Sequence, residues 1–138
     1  QIMRHEEWPE IMESYIQNNR GKEYKWSRQD CVTFMAQFVH IITGKDVLIG
    51  KRYAGEKSAM TLLKKYKGLF RLVDMQFKRL GLNKIKPLQA KRGDVVGFKT
   101  KAHGQTVGIC VGNMFVSQGE DDLVFLPMSE AVKAWEVK

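Results

Sequence analysis

The hydrophobic positions of this chain change their period once along its length. Up to about residue 80 they recur every three or four residues; beyond residue 93 they fall in short, β-branched runs bounded by glycine. Residues 7–19 place Trp8, Ile11, Met12, Tyr15 and Ile16 at helical spacing, with Pro9 suited to a first turn and Gly21 to a stop. Residues 24–29 read as a loop. Asp30 is placed to cap a second helix over 31–43, in which Val32, Met35, Phe38, Val39 and Ile42 share a face and Gly44 ends the helix. Residues 45–55 read as irregular. Two more helices are predicted: 56–67, with Ala59, Leu62, Leu63 and Tyr66, and 69–80, with Leu69, Leu72, Val73, Phe77 and Leu80.

After Pro87 the pattern becomes that of strands. Lys91-Arg92-Gly93-Asp94 is a turn, Val95 to Phe98 a short strand and 106–111 another, and Gly112-Asn113 has the composition of a hairpin turn. Residues 114–117, 123–126 and 135–137 are further strand candidates. Helices therefore fill about residues 6–80 and an antiparallel sheet about 93–138. This segregation predicts an α+β fold, not the alternation of a parallel βαβ sheet. Neither a repeat nor a low-complexity tract divides the chain, so residues 1–138 are expected to form a single domain.

Composition adds bounds. The chain has 138 residues, 43% hydrophobic and 28% charged, enough for one packed core and unlike a disordered segment. Two cysteines are too few for a disulfide framework. No apolar run approaches the roughly 20 residues of a membrane helix, so no transmembrane segment is expected. The opening residues Gln1 to Glu7 carry no apolar signal-peptide stretch. The net charge of +8 is uneven: residues 1–44 carry −1, residues 45–101 carry +12 and residues 102–138 carry −3. The basic middle suggests an acidic partner or a solvated lysine face. Nucleic acid ranks last, because no recognition motif accompanies the charge.

Few residues can carry chemistry. Cys31 follows an N-cap candidate, so it falls in a helical first turn, where the dipole and free N–H groups favour a thiolate. The alternative is a small buried hydrophobe, the usual state of a free cysteine. His40 lies nine residues along the same helix, about 13.5 Å away and on the opposite face, so it cannot pair with Cys31. His5 lies near the terminus and carries little weight. His103, between Ala102 and Gly104, is the base candidate in the sheet half. The cysteines and histidines show no metal-ligand spacing, no glycine-rich phosphate loop is present, and Gly119-Glu120-Asp121-Asp122 reads as a solvated acidic turn. No metal or cofactor is implied.

The order of short motifs nonetheless has a resemblance. Trp8, Trp26, Asp30-Cys31, Thr43-Gly44-Lys45-Asp46, Gly50-Lys51-Arg52-Tyr53, Gly93 to Val96, Gly108-Ile109-Cys110-Val111-Gly112 and Ala134-Trp135-Glu136-Val137 follow one another across residues 8–137. This succession resembles the NlpC-type cell-wall cysteine peptidases and a phage and prophage family related to them. The resemblance implies a papain-like fold, with Cys31 at the nucleophile position and Asp30 as its usual predecessor. It puts Thr106 where the family has its histidine, and Ser117 where it has a third polar residue. His103 lies three residues before Thr106, about 10 Å away on an extended strand and on its other face. The implied activity is peptidase or amidase action on peptidoglycan by a phage tail protein with an incomplete Cys–His dyad. The alternative is a catalytically inactive tail-tip or tail-assembly component on the same scaffold. Either would be made in the bacterial cytoplasm and reside in the virion, with peptidoglycan or other tail proteins as partners.

Overall fold

The computed structural model describes residues 4–138; Gln1 to Met3 of the opening stretch lie outside them. Four helices, α1 (Trp8–Asn19), α2 (Cys31–Thr43), α3 (Gly55–Lys65) and α4 (Leu69–Arg79), precede a sheet of strands β1 (Lys84–Ile85), β2 (Val95–Thr100), β3 (Gly104–Cys110), β4 (Met114–Gln118), β5 (Leu123–Pro127) and β6 (Lys133–Trp135). The strand order is β1-β6-β2-β3-β4-β5, every pairing antiparallel. The segregated α+β arrangement is as the sequence predicts. β1 is an addition: at two residues it is too short to show a period. The third helix begins and ends earlier than its apolar spacing suggests, and the last strand is shifted two residues toward the N-terminus.

Pleating sorts the sheet residues into two cores. Val95, Val107, Ile109, Val116 and Trp135 face α1, α2 and α4 and join their apolar stripes in the main core. Val96, Phe98, Cys110, Phe115 and Ala134 face the other way. They form a smaller cluster covered by Leu126, Met128, Ala131 and Ile85. Neighbours across the ladder agree: Val95 pairs with Ile109 and Trp135, whereas Phe98 pairs with Thr106. Gly108 permits this packing. A Cβ there would lie 2.7 Å from the Val116 carbonyl oxygen, so any side chain would push β4 away from β3.

The two ends of the chain meet at one buried carboxylate. Asp94, in the turn before β2, accepts hydrogen bonds from the Lys91 N–H, the Val137 N–H and Arg4 Nη2. Arg4 also donates Nε–H to the Val137 carbonyl and lies over the Trp8 ring, 4.4 Å from its centroid. The Gly93-Asp94-Val95-Val96 motif is thus a structural clamp, in which one fully buried charge is paired with an arginine and further neutralised by backbone donors.

Candidate active site

The site is built on the start of α2. Asp30 is its N-cap: the carboxylate accepts the Thr33 N–H at 2.8 Å while Thr33 Oγ1 accepts the Asp30 N–H, a reciprocal capping box. The other carboxylate oxygen accepts the Ser27 N–H at 2.8 Å and the Tyr53 hydroxyl at 2.6 Å. Ser27 Oγ in turn accepts the Gly55 N–H. Asp30 is therefore a buried hub that ties the loop before α2 to the segment before α3. The sequence supplies the cap signal, but Tyr53 and Ser27 lie too far away in sequence, or too close to a turn, to be assigned to it.

Cys31 is the first residue of α2 and is 8% exposed. The N–H groups of Val107, Cys31 and Val32 lie at its sulfur and favour the thiolate, as a helix N-terminus should. Burial outweighs them. Together with the neighbouring Asp30 charge, it pushes the thiol up from about 9 to about 12. The expectation that the helix start lowers the thiol pKa is thus overturned by desolvation, and the resting sulfur is protonated.

The remaining candidates separate into two groups. His103 lies in the turn that joins β2, ending at Thr100, to β3, which starts at Gly104, two residues earlier than predicted. It is therefore not stranded 10 Å along an extended segment; the turn brings it to the wall of the cavity that Cys31 also lines. Its ring stacks on Tyr24, with centroids 5.4 Å apart and planes 3° apart, and its Nε2 is 3.4 Å from a Glu120 carboxylate oxygen. The Tyr24 N–H donates to the Glu120 carbonyl at 2.7 Å, so the acidic β4–β5 turn and the Tyr24 loop hold the imidazole together.

Thr106 and Ser117 go elsewhere. Thr106 pairs with Phe98 and so faces the smaller cluster, its hydroxyl bonded to the Gly104 carbonyl. Ser117 Oγ donates to the Val107 carbonyl, and its Cβ lies beside Gly108 on that same far face. Neither shares the Cys31 cavity. His40 is exposed, as its position on α2 predicts, and His5 donates its backbone N–H to the Ile42 carbonyl. Among the described residues no group of three His, Cys, Asp or Glu side chains is placed to hold a metal.

Beyond Cys31 and His103, the cavity is lined by Tyr24, Trp26, Tyr53, Glu56 and Gln105, and by aliphatic side chains of α3 and α4. Trp26 and Tyr53 belong to motifs quoted from the sequence; Tyr24 and Gln105 carry no such signal. Within the basic stretch 45–101, α3 forms a wall of the site, with Lys57, Lys64 and Lys65 exposed.

The buried thiol has a consequence for stability. Between about pH 9 and 12 the unfolded chain releases the Cys31 proton while the folded chain keeps it. The stabilisation is whole below pH 9 and is lost as pH rises toward 12. Tyr15, Tyr24 and Tyr53, also pushed upward by burial, act with the same sign at higher pH. A lower urea midpoint is expected at pH 11 than at pH 8, with a smaller drop in Cys31→Ala. Equal drops in both chains would contradict the assignment.

A helix-borne cysteine packed on an antiparallel sheet, with an imidazole on the wall of the same cavity, is the arrangement of a papain-like fold. The crystal structure of the NlpC/p60 domain of the peptidoglycan hydrolase SagA is similar over 91% of this chain and 95% of that one, with a TM-score of 0.57 and 16% identity. No curated protein matches the sequence. Residues 3–137 match the family model described as "Domain of unknown function (DUF6950)", and the chain belongs to that family.

Proposed function

We propose that the chain is a cysteine hydrolase acting on amide bonds of peptidoglycan, carried by a phage tail. The observation that carries this reading is the placement of Cys31 at the start of α2 in a cavity shared with His103. The peptidoglycan substrate is supported by the fold shared with the hydrolase domain of SagA. The tail location is supported by the motif succession from Trp8 to Val137.

In this reading His103 takes the thiol proton as Cys31 Sγ attacks the amide carbonyl. The N–H groups at the start of α2 face the oxygen that becomes negative. His103 returns the proton to the leaving amine, and water then hydrolyses the thioester. Because burial keeps the thiol protonated at rest, proton transfer accompanies attack, as in serine hydrolases. Tyr24 and Glu120 position the imidazole. Digestion of purified muropeptides is expected to yield product with the native chain and none with Cys31→Ala. His103→Gln is expected to lose about a hundredfold or more. Equal product from native and Cys31→Ala chains, or none from either, would overturn the proposal.

A second reading, an inactive tail component, is favoured by the burial of Cys31 and by Thr106 and Ser117 facing the opposite side of the sheet. It requires that phage particles fail to assemble when the chain is deleted.

A further inference from the structure

We infer that the cavity beside Cys31 binds an aliphatic chain laid along α3, with an uncharged carbonyl group at the thiol end. The inference uses the hydrolase reading only to orient that chain; its binding does not depend on catalysis.

The cavity is about 460 Å³, within the range of small-molecule sites. Its walls divide by chemistry. Polar groups gather at the Cys31 end: Tyr53 bonds to Asp30, Tyr24 stacks on His103, and Glu56 follows Gly55, whose N–H is held by Ser27. Away from them the lining is aliphatic, with Ala59, Met60, Leu62 and Leu63 on α3 and Leu69 and Leu72 on α4. From Glu56 to Leu63 the helix advances about 10 Å at ~1.5 Å per residue. The apolar wall is thus elongated and begins at the polar end.

α3 itself calls for an apolar occupant. It is amphipathic, with Lys57, Lys64 and Lys65 outward, yet Ala59 is its single buried residue and Met60 is 48% exposed. Its apolar stripe is turned to the cavity and only partly satisfied by the core, so a chain lying there completes the packing that the helix pattern demands. Met60 can adapt to such a chain, because its side chain is unbranched and polarizable. Carboxylates or ammonium groups carried on a substrate would find no partners along this wall. The Glu56 carboxylate in the lining also disfavours a free fatty acid. An amide, ester or thioester of a straight-chain acid meets both conditions.

The test is a calorimetric or NMR titration of the Cys31→Ala chain with the primary amides of butanoic, hexanoic and octanoic acids. Saturable one-to-one binding is expected, tightening about fourfold per added methylene. Leu62→Gln, at a half-buried lining position, is expected to weaken octanamide at least tenfold, and Lys64→Gln on the outer face to leave it unchanged. No saturable binding of octanamide, or affinity independent of chain length, would overturn the inference. So would a folded Leu62→Gln chain that binds normally. If Leu62→Gln does not fold, the chain-length series decides alone. Chain binding without muropeptide digestion removes the hydrolase reading and leaves this one standing; digestion without chain binding does the reverse.

Discussion

At pH 8, iodoacetamide is expected to label Cys31 of the folded chain about a thousandfold more slowly than the same cysteine in urea. The thiolate is the reacting species, and the fold raises the thiol from about 9 to about 12, which lowers the thiolate fraction by about three orders of magnitude. Restricted access to a side chain that is 8% exposed adds to the delay. Cys110, fully buried in the smaller cluster with its thiol also pushed up, is protected too, so the two sites are followed separately by peptide mass mapping. Fast labelling of folded Cys31 that persists down to pH 5 or 6 would show the opposite resting state, a thiolate paired with a protonated His103. That outcome would contradict attack from the neutral thiol. Labelling only slightly slower than in urea would mean that the N–H groups around the sulfur outweigh burial.

The second large effect concerns the core. Trp135→Ala is expected to cost about 3–5 kcal/mol, a large part of the roughly 5–15 kcal/mol that holds a domain together. Trp135 has no exposed surface and packs against Phe70 and Phe77 of α4, at centroid distances of 6.2 and 5.9 Å. Its indole N–H donates to Asp74 at 2.8 Å, joining α4 to the short edge formed by β6 and β1. Alanine leaves a cavity at the junction of helix and sheet and removes that link. Trp135→Phe keeps most of the packing and is expected to cost less than half as much. Urea unfolding with an unchanged slope measures both. A loss below about 1 kcal/mol for Trp135→Ala would show that the region collapses to fill the space.

The terminal Ala-Trp-Glu-Val motif is therefore structural, as is the Gly93 to Val96 segment with Asp94. Their place in the motif succession reflects how the two ends of the chain are closed, not chemistry. Asp30 combines both roles. It caps α2, anchors Tyr53 and raises the cost of ionising Cys31. Removing it therefore loosens the site while lowering the electrostatic cost of the thiolate.

What the sequence determined by itself was local. The helical spacing of Met35, Phe38, Val39 and Ile42, the cap at Asp30 and the stop at Gly44 define α2, because capping and amphipathicity act over a few residues. The Gly93, Gly112 and Gly119 turns delimit the strands for the same reason. The segregation of helices from strands followed from these periods. Pairing and facing were decided only by the tertiary structure. Whether residue 103 comes to the cavity that Cys31 lines depends on how the turn between β2 and β3 folds over the sheet, which no local period encodes, and that turn sets the imidazole in the cavity wall. Whether Thr106 and Ser117 face the cysteine depends on sheet register, where a step of one residue exchanges the two faces. The thiol pKa depends on how deeply the rest of the chain buries the first turn of α2. That burial comes from contacts distant in sequence, and it outweighs the local dipole that the sequence reveals.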